Sequence, residues 1–167
     1  RDDGASSFAY DGRLMRVASE DFAPESIDRL SVDWYGGAAQ VYVVDDEETG
    51  GMIRVCEDST IPLTEDEVVR CAIKGRTLEV SSAHAGLMLE AVQHVNIQVP
   101  RSVADAFDIV DMSGLASSFE VRDITCRQLT LGAASDSVSV RTSGVTAEEL
   151  AFSQSGRTQS TLSGSFK

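Results

Sequence analysis

The sequence predicts an all-β protein, a single-stranded parallel β-helix with a coil of about 21 residues in its C-terminal part. Short apolar segments alternate with period 2 and are bounded by Gly, Asp and Ser, which is typical of half-buried strands. The last third of the chain repeats at a nearly constant spacing and leaves no room for a helix between its strands. A length of 167 residues suits one domain.

The elements follow in chain order. Residues 1–27 show no period, and Pro24 interrupts them, so they are predicted to lead into and cap a β-helix domain that spans 28–167. Residues 85–93 are predicted as a loop with one helical turn. Alternating apolar residues predict strands around Leu30–Trp34, Val41–Val43, Ile53–Val55, Val69–Ile73, Leu78–Val80 and Val95–Val99. The predicted connections are turns at Gly36-Gly37 and Gly50-Gly51 and an acidic hairpin loop at 45–48.

The C-terminal repeat contains two short strands and a tight turn in each unit. Its first strands lie at Phe107-x-Ile109, Leu129-x-Leu131 and Leu150-x-Phe152, and its turns at Ser113-Gly114, Ser135-Asp136 and Ser155-Gly156. Stacked units predict two inward ladders, Phe107 with Leu129 and Leu150, and Ile109 with Leu131 and Phe152. The repeat assigns residues 146–149 to a corner, against their helix propensity. A β-sandwich with regularly spaced turns is the alternative.

The charge balance excludes several classes of partner. The 27 acidic residues against 14 basic ones give a net charge of −13, which disfavours nucleic acid and anionic membranes as partners. This charge lies in residues 1–112, whereas residues 113–167 are neutral and rich in Ser and Thr. The longest apolar run spans a few residues, so no transmembrane helix is predicted within the chain.

The cysteines and histidines predict neither a metal site nor a complete disulfide framework. Cys56, Cys71 and Cys126 are odd in number, so free thiols are favoured, and a Cys56–Cys71 bridge stays open. Alternation points Cys71 into the core and Cys56 outwards. His84 and His94 match no zinc spacing; His94 is predicted to be solvated and His84 to lie in a loop.

Catalytic motifs are absent from the sequence. It contains neither a nucleophile elbow nor a glycine motif for nucleotides, and the acidic run at 45–48 lacks the spacing of a calcium loop. No catalytic, cofactor-binding or metal-binding residue is therefore predicted. Acids clustered on one face with a raised carboxyl pKa would instead favour an enzyme, but the candidates do not share one repeat offset: Asp108, Asp111, Asp123 and Asp136.

A family resemblance is carried by the order of the strands. Leu30-x-Val32, a Gly turn and Val41-x-Val43 precede the strand Val95-Asn-Ile-Gln-Val99-Pro100 and then the Ser-Gly units. Over residues 28–167 this order resembles the bacterial putative-adhesin family of β-helical domains of unknown function. The resemblance implies a right-handed parallel β-helix, often tethered to the bacterial envelope or carried beside envelope-stress systems, with no established catalytic residues.

We therefore expect a non-enzymatic, adhesin-like module of the bacterial envelope or surface that binds a protein or a cell-surface glycan. The chain begins at Arg1, and we expect an extracytoplasmic location with membrane attachment through a segment outside this chain. Tyr35 and Tyr42 have outward parity; exposed aromatic rings can stack on sugars, but scattered surface aromatics are common and need no functional explanation. The alternatives are a carbohydrate-active β-helix enzyme and an accessory domain of an envelope-stress system. The last predicted coil has no obvious cap, so either the natural protein continues or this end meets another copy, and a homo-oligomer through the C-terminal coil is the hypothesis.

Overall fold

The computed structural model describes residues 13–83, 91–133, 138–154 and 158–166. Over these residues it is almost entirely β, as the sequence predicts, and its strands form one ten-stranded mixed sheet. The strands are β1 (Met15–Phe22), β2 (Arg29–Val44), β3 (Ile53–Ser59), β4 (Arg70–Lys74), β5 (Thr77–Ser81), β6 (Gln93–Pro100), β7 (Phe107–Arg122), β8 (Thr125–Ala133), β9 (Val138–Gln154) and β10 (Thr158–Phe166). The helices are α1 (Asp46–Thr49) and two 3₁₀ turns, Pro24–Ser26 and Arg101–Val103.

The sheet runs in the order β10-β9-β8-β7-β2-β6-β3-β1, with β5 also paired to β2 and β4 paired to β5. All pairings among β7, β8, β9 and β10 are parallel, and β7 is parallel to β2 along most of its length. Pairings of β1 with β3, β3 with β6 and β4 with β5 are antiparallel. The sheet is not closed, so the structure confirms the all-β class without showing a single-stranded parallel β-helix.

The C-terminal repeat becomes the register between neighbouring parallel strands. Leu129 pairs with Leu150, 21 positions later, and Leu131 pairs with Phe152. Both pairs are as predicted. The first rung is not, because Phe107 pairs with Cys126 and Ile109 with Gln128.

Val110 and Met112 occupy the predicted places of Phe107 and Ile109 in the two ladders. The cause is a change of parity near the start of β7. Phe107 and Val110 are both buried, with two partly exposed residues between them, so strict alternation fails at this bend.

Two predicted turns prove to be bends inside long strands. Gly36-Gly37 lies within β2 and Ser113-Gly114 within β7. Gly114 has a φ of 123°, and a Cβ there would lie 3.0 Å from the backbone nitrogen of Trp34. Glycine therefore lets the two strands approach closely where both change direction. The predicted turns at 135–136 and 155–156 lie outside the described residues.

The N-terminal part departs from the prediction in its connections. Residues predicted to lead into the domain form β1, which pairs with β3 at the edge of the sheet. The acidic run is not a hairpin loop, because β6 lies between β2 and β3. It forms the short helix α1, which begins with a capping box between Asp45 and Glu48. Of the predicted loop at 85–93, residues 85–90 lie outside the described residues, and Gln93 already belongs to β6.

The core contains the inward side chains of all the long strands. Trp34 is fully buried, and its indole nitrogen donates a hydrogen bond to the carbonyl oxygen of Gln93 at 3.0 Å. Inward residues of β2, β6 and β7 fix the direction of the residues between them, which face outwards. These outward residues form the candidate site.

Candidate binding face

Six half-buried polar side chains form a regular grid on the outer side of β2, β6 and β7. The register aligns them in two rows across the three strands. The first row is Asn96, Gln40 and Glu120, and the second is Gln98, Tyr42 and Arg122. We call these six residues the amide face.

The core fixes the orientation of the amide face. Between its two rows, Val41, Ile97 and Val121 are fully buried. Because successive side chains of a strand point to opposite sides, the flanking residues must face outwards. The grid is therefore as rigid as the core beneath it.

Tyr42 is held in place by both of its neighbours in the second row. Gln98 Nε2 donates a hydrogen bond to the Tyr42 hydroxyl at 3.1 Å. The Arg122 guanidinium lies over the Tyr42 ring, 4.7 Å from its centroid, as a cation–π contact. Arg122 Nε is also 3.5 Å from Glu120 Oε2, so the cation is neutralised within the grid.

Ion pairs border the amide face on β1 and β3. Asp58 accepts a hydrogen bond from Asn96 at 3.3 Å and forms an ion pair with Arg16 at 2.6 Å. Arg54 donates two hydrogen bonds to Asp21, at 2.7 and 3.0 Å, and this contact lowers the pKa of Asp21. The charges of this border are therefore paired.

Hydroxyl groups are the ligand chemistry that this arrangement suits. Each amide of Asn or Gln offers both an acceptor oxygen and two donor hydrogens, as a sugar hydroxyl requires. The Gln40 side chain forms no hydrogen bond within the described part of the chain, so its amide is available to a ligand. Glu120 and Arg122, two residues apart on β7, balance each other's charge, so the face favours neither anions nor cations.

A pair of carboxylates lies on a different outer surface. Asp33 on β2 and Asp111 on β7 are offset by two residues in the register, because Asp33 pairs with Ser113 and Ser31 with Asp111. Burial raises the pKa of Asp111, and the negative charge of Asp33 raises it further. We call Asp33 and Asp111 the acid pair.

The other sequence candidates among the acids have structural roles or are not described. Arg127 donates a hydrogen bond to Asp108 at 2.6 Å and lowers the pKa of that carboxyl. Asp123 occupies a left-handed bend with a φ of 63°. Asp136 lies outside the described residues. Asp46 of the acidic run accepts a hydrogen bond from the Ser102 backbone at 3.1 Å, which anchors α1 to the loop after β6.

His94 is half-buried, so the prediction of a solvated side chain is wrong. Its Nδ1 accepts a hydrogen bond from the Ala38 backbone N–H at 3.0 Å, beside the bend of β2. Burial lowers the pKa of His94, which favours the neutral ring that this bond requires. His84 lies outside the described residues.

The acidic pair Glu57-Asp58 is predicted from the sequence to be a solvated loop, but Glu57 is fully buried within β3. It accepts hydrogen bonds from the Val69 backbone at 2.6 Å and from Gln93 Nε2 at 2.8 Å. Burial raises the pKa of Glu57 although both hydrogen bonds oppose the shift. Glu57 thereby fastens the loop between β3 and β4 to β6.

All three cysteines are free, so Cys56 and Cys71 are not bridged. Cys56 and Cys126 are buried, and burial raises the pKa of Cys71 to about 12. Thiols held protonated in this way react slowly. Among the described residues, no three His, Cys, Asp or Glu side chains come together as a metal site. Across the same residues, no helix has the length and apolar character needed to cross a membrane.

Sequence reasoning found only Tyr42 among the six residues of the amide face. Each of the other five occupies an outward position of a strand, and this parity was readable from the alternation. The missing information was the register between β2, β6 and β7, which joins residues up to about 80 positions apart. The repeat of about 21 residues covers only the C-terminal third of the chain and therefore does not predict how β2 pairs with β6 and β7.

Comparison with known proteins gives weak similarities. No family model matches the chain, and no curated protein matches it. A putative cell adhesion protein from Clostridium sporogenes has 10% identity and a TM-score of 0.45, with 93% of this chain and 100% of that chain covered. A putative adhesin from Bacteroides fragilis has 11% identity and a TM-score of 0.43, with 91% and 98% covered.

A putative adhesin from Parabacteroides merdae has 12% identity and a TM-score of 0.38, with 91% of this chain and 82% of that chain covered. Likeness of this degree assigns neither a family nor a function to the chain.

Proposed function

We propose that the protein is a non-catalytic binding module that holds a hydroxyl-rich polymer, a cell-surface glycan, on its amide face. The observation that carries this proposal is the two-row grid of amides around Tyr42. Gln98, Arg122 and Glu120 hold Tyr42 and one another in place, so these side chains lose little rotamer entropy when a ligand binds. The unpaired amide of Gln40 supplies both a donor and an acceptor.

The setting proposed for this module is the bacterial envelope, outside the cytoplasm, with attachment through a segment beyond this chain. A net charge of −13 opposes binding to anionic polymers and lipids, so a neutral glycan is the favoured partner. The parallel strands β7 to β10 are proposed to be coils of a β-helix. Such a stack presents long flat surfaces to a polymer.

Co-sedimentation with bacterial cell-wall sacculi tests the proposal, with soluble neutral polysaccharides as competitors. We expect saturable binding that a polysaccharide competes away. Gln40→Ala should weaken binding about tenfold, because loss of one ligand hydrogen bond costs about 1.4 kcal/mol. Gln128→Ala is the matched control, since Gln128 is half-buried on β8, outside the amide face, and should bind as the wild type does.

Two results would count against this function. Equal loss of binding in Gln40→Ala and Gln128→Ala would mean that the amide face is not the site. Absence of any saturable binding would favour the accessory domain of an envelope-stress system, whose partner is a protein.

A second candidate function is favoured by the acid pair. Two neighbouring carboxylates, one with a raised pKa, are the requirement of a carbohydrate-active enzyme. Release of reducing ends from a polysaccharide by the wild type, abolished in Asp111→Asn, would support this activity. Release that persists in Asp111→Asn would indicate a contaminant and exclude the acid pair as its origin.

A further inference from the structure

The two rows of the amide face continue onto the strand β9. Arg141 of β9 pairs with Glu120 in the first row, and Ser143 pairs with Arg122 in the second. Both side chains face outwards, because Thr142 between them is buried. We call Arg141 and Ser143 the β9 extension. Each row therefore crosses four strands, in the order β6, β2, β7 and β9.

The strand pairings beneath these rows are all parallel. Hydrogen bonds between parallel strands are evenly spaced, whereas close and wide pairs alternate between antiparallel strands. Neighbouring side chains in a row are therefore separated by one constant step, the strand spacing of about 4.8 Å. A ligand with the same repeat meets an equivalent position on every strand.

Free polar groups of the first row lie two strands apart. The Gln40 amide on β2 and the exposed Arg141 guanidinium on β9 form no hydrogen bond or ion pair with any described residue. Glu120 on β7 lies between them in the row. One sugar ring spans roughly one strand spacing. A ligand that contacts both free groups must therefore contain several linked sugar units.

The linkage between sugar units decides whether a glycan matches this step. In β-1,4-linked chains of glucose or N-acetylglucosamine, equatorial bonds extend the chain as a flat ribbon that advances by roughly one strand spacing per unit. An α-1,4-linked chain has an axial bond at each unit and curves into a helix, so its successive units leave a flat surface.

We propose that the glycan held by the amide face is a β-1,4-linked ribbon that lies across β6, β2, β7 and β9 with one sugar unit on each strand. This inference rests on the proposed glycan binding and names the linkage that the same site selects. Successive units of such a ribbon are turned over relative to each other. Amide groups suit both orientations, because each amide donates and accepts hydrogen bonds. Arg141 contacts only chains long enough to reach β9.

Oligosaccharides of defined linkage test the proposal on the full chain, with the side-chain amide signal of Gln40 as the readout of binding. The probes are chito-, cello- and malto-oligosaccharides of about two to about six units. At equal length, at least one of the two β-1,4 series should bind about tenfold more tightly than the α-1,4 malto series. Affinity should rise up to about four units and change little beyond, because each added unit reaches one more strand.

Arg141→Ala locates the end of the ribbon. This variant should bind a four-unit β-1,4 oligosaccharide about fivefold more weakly, because one ligand hydrogen bond is lost, and the loss should be smallest for two units. Arg70→Ala is the matched control, since Arg70 is exposed on β4 and forms no ion pair among the described residues. It should bind every probe as the wild type does. Circular dichroism verifies that both variants are folded.

The outcomes distinguish failure of the ribbon from failure of glycan binding. Malto-oligosaccharides that bind as tightly as both β-1,4 series and shift the Gln40 amide would overturn the ribbon and leave the amide face as a glycan site. Affinity that does not depend on length, or equal losses in Arg141→Ala and Arg70→Ala, would also overturn the ribbon alone. No shift of the Gln40 amide with any of the three series would overturn the proposed function and the ribbon together.

Discussion

The two halves of the sheet are held together in different ways. In the N-terminal block, formed by β1, β3 and β6, antiparallel pairing is joined by side-chain hydrogen bonds between residues far apart in the chain, including those of Glu57 and His94. In the C-terminal stack, formed by β7 to β10, parallel register aligns apolar ladders such as Leu129 with Leu150. Protonation of Glu57 and His94 can therefore change the stability of the N-terminal block. The stability of the C-terminal stack depends instead on the volume and the burial of its apolar side chains.

The stack also differs within itself, between its inner and its last unit. Leu129 and Leu150 are both leucines and are register partners in one ladder, but Leu129 is fully buried and Leu150 is only partly buried. Their contrast isolates what a covering strand contributes.

Truncation in the stack should have the largest effect. Leu129→Ala is expected to lower the free energy of unfolding by about 2–5 kcal/mol, because it removes fully buried methyl groups and leaves a cavity. Leu150→Ala should cost about 1 kcal/mol, because the partly buried Leu150 side chain removes less apolar surface from water than Leu129 does. Urea unfolding of both variants measures the difference. Equal losses in the free energy of unfolding would contradict the different burial of Leu129 and Leu150.

The His94 contact should give the next largest effect, now in the block. His94→Ala leaves the Ala38 N–H without its acceptor and is expected to cost about 1–3 kcal/mol. His94→Asn keeps a short acceptor and should recover part of this loss. Urea unfolding near neutral pH compares them, and identical losses would show that packing, not the hydrogen bond, is the contribution of His94.

The same residue gives a sign for the dependence on pH. The pKa of His94 is lowered on folding from the value of 6.5, so the unfolded chain binds its proton more tightly. Stability from His94 is thus lost as pH falls through that value. As pH falls through that value, the stability of His94→Asn relative to the wild type should therefore rise. A stability difference that does not change with pH would contradict the assignment.

Glu57 should act in the opposite direction. Its pKa is raised on folding from 4.5, so the folded state binds the proton more tightly and ionisation of Glu57 costs stability as pH rises. Glu57→Gln removes this titration. The stability of the variant relative to the wild type should therefore increase as pH rises above 4.5. A relative stability that decreases over the same range would show that the hydrogen bonds of the ionised Glu57 outweigh its burial.

The smallest effect is expected at the exposed corner where β7 begins. Asp108 pairs with Arg127 at 2.6 Å and with Arg29 at 3.3 Å, on side chains that water screens. Its pKa is lowered on folding, so its contribution is present above the ordinary carboxyl pKa and is lost as pH falls. Asp108→Asn removes these ion pairs and should therefore lower the melting temperature slightly at low salt and leave it unchanged at high salt. A shift that persists at high salt would indicate a packing role.

The sequence was sufficient for the strands and for part of their stacking. Alternation located β3, β4, β5 and β6, and the repeat paired Leu129 with Leu150. The long strands β2 and β7 were divided at their glycines, because Gly36 and Gly114 resemble turn residues although both bend a continuous strand. Local pattern does not distinguish these two uses of glycine.

The candidate site was less predictable than the fold. Gln40, Asn96 and Gln98 are ordinary outward residues until the register of β2 with β6 aligns them. That register follows from long-range packing of Val41, Ile97 and their neighbours, which no local window of sequence contains. The buried position of Glu57 was hidden for a related reason, since its partners Val69 and Gln93 belong to later segments.

The most direct test of the proposed function is nuclear magnetic resonance of the side-chain amides during titration with a soluble neutral oligosaccharide. Asn and Gln side-chain NH₂ signals report ligand hydrogen bonds at their own positions. We predict saturable shifts for Gln40, Asn96 and Gln98, with Gln128 unchanged. Shifts confined to residues around Asp111, or no shift at any of these amides, would contradict the assignment of the amide face as the binding surface.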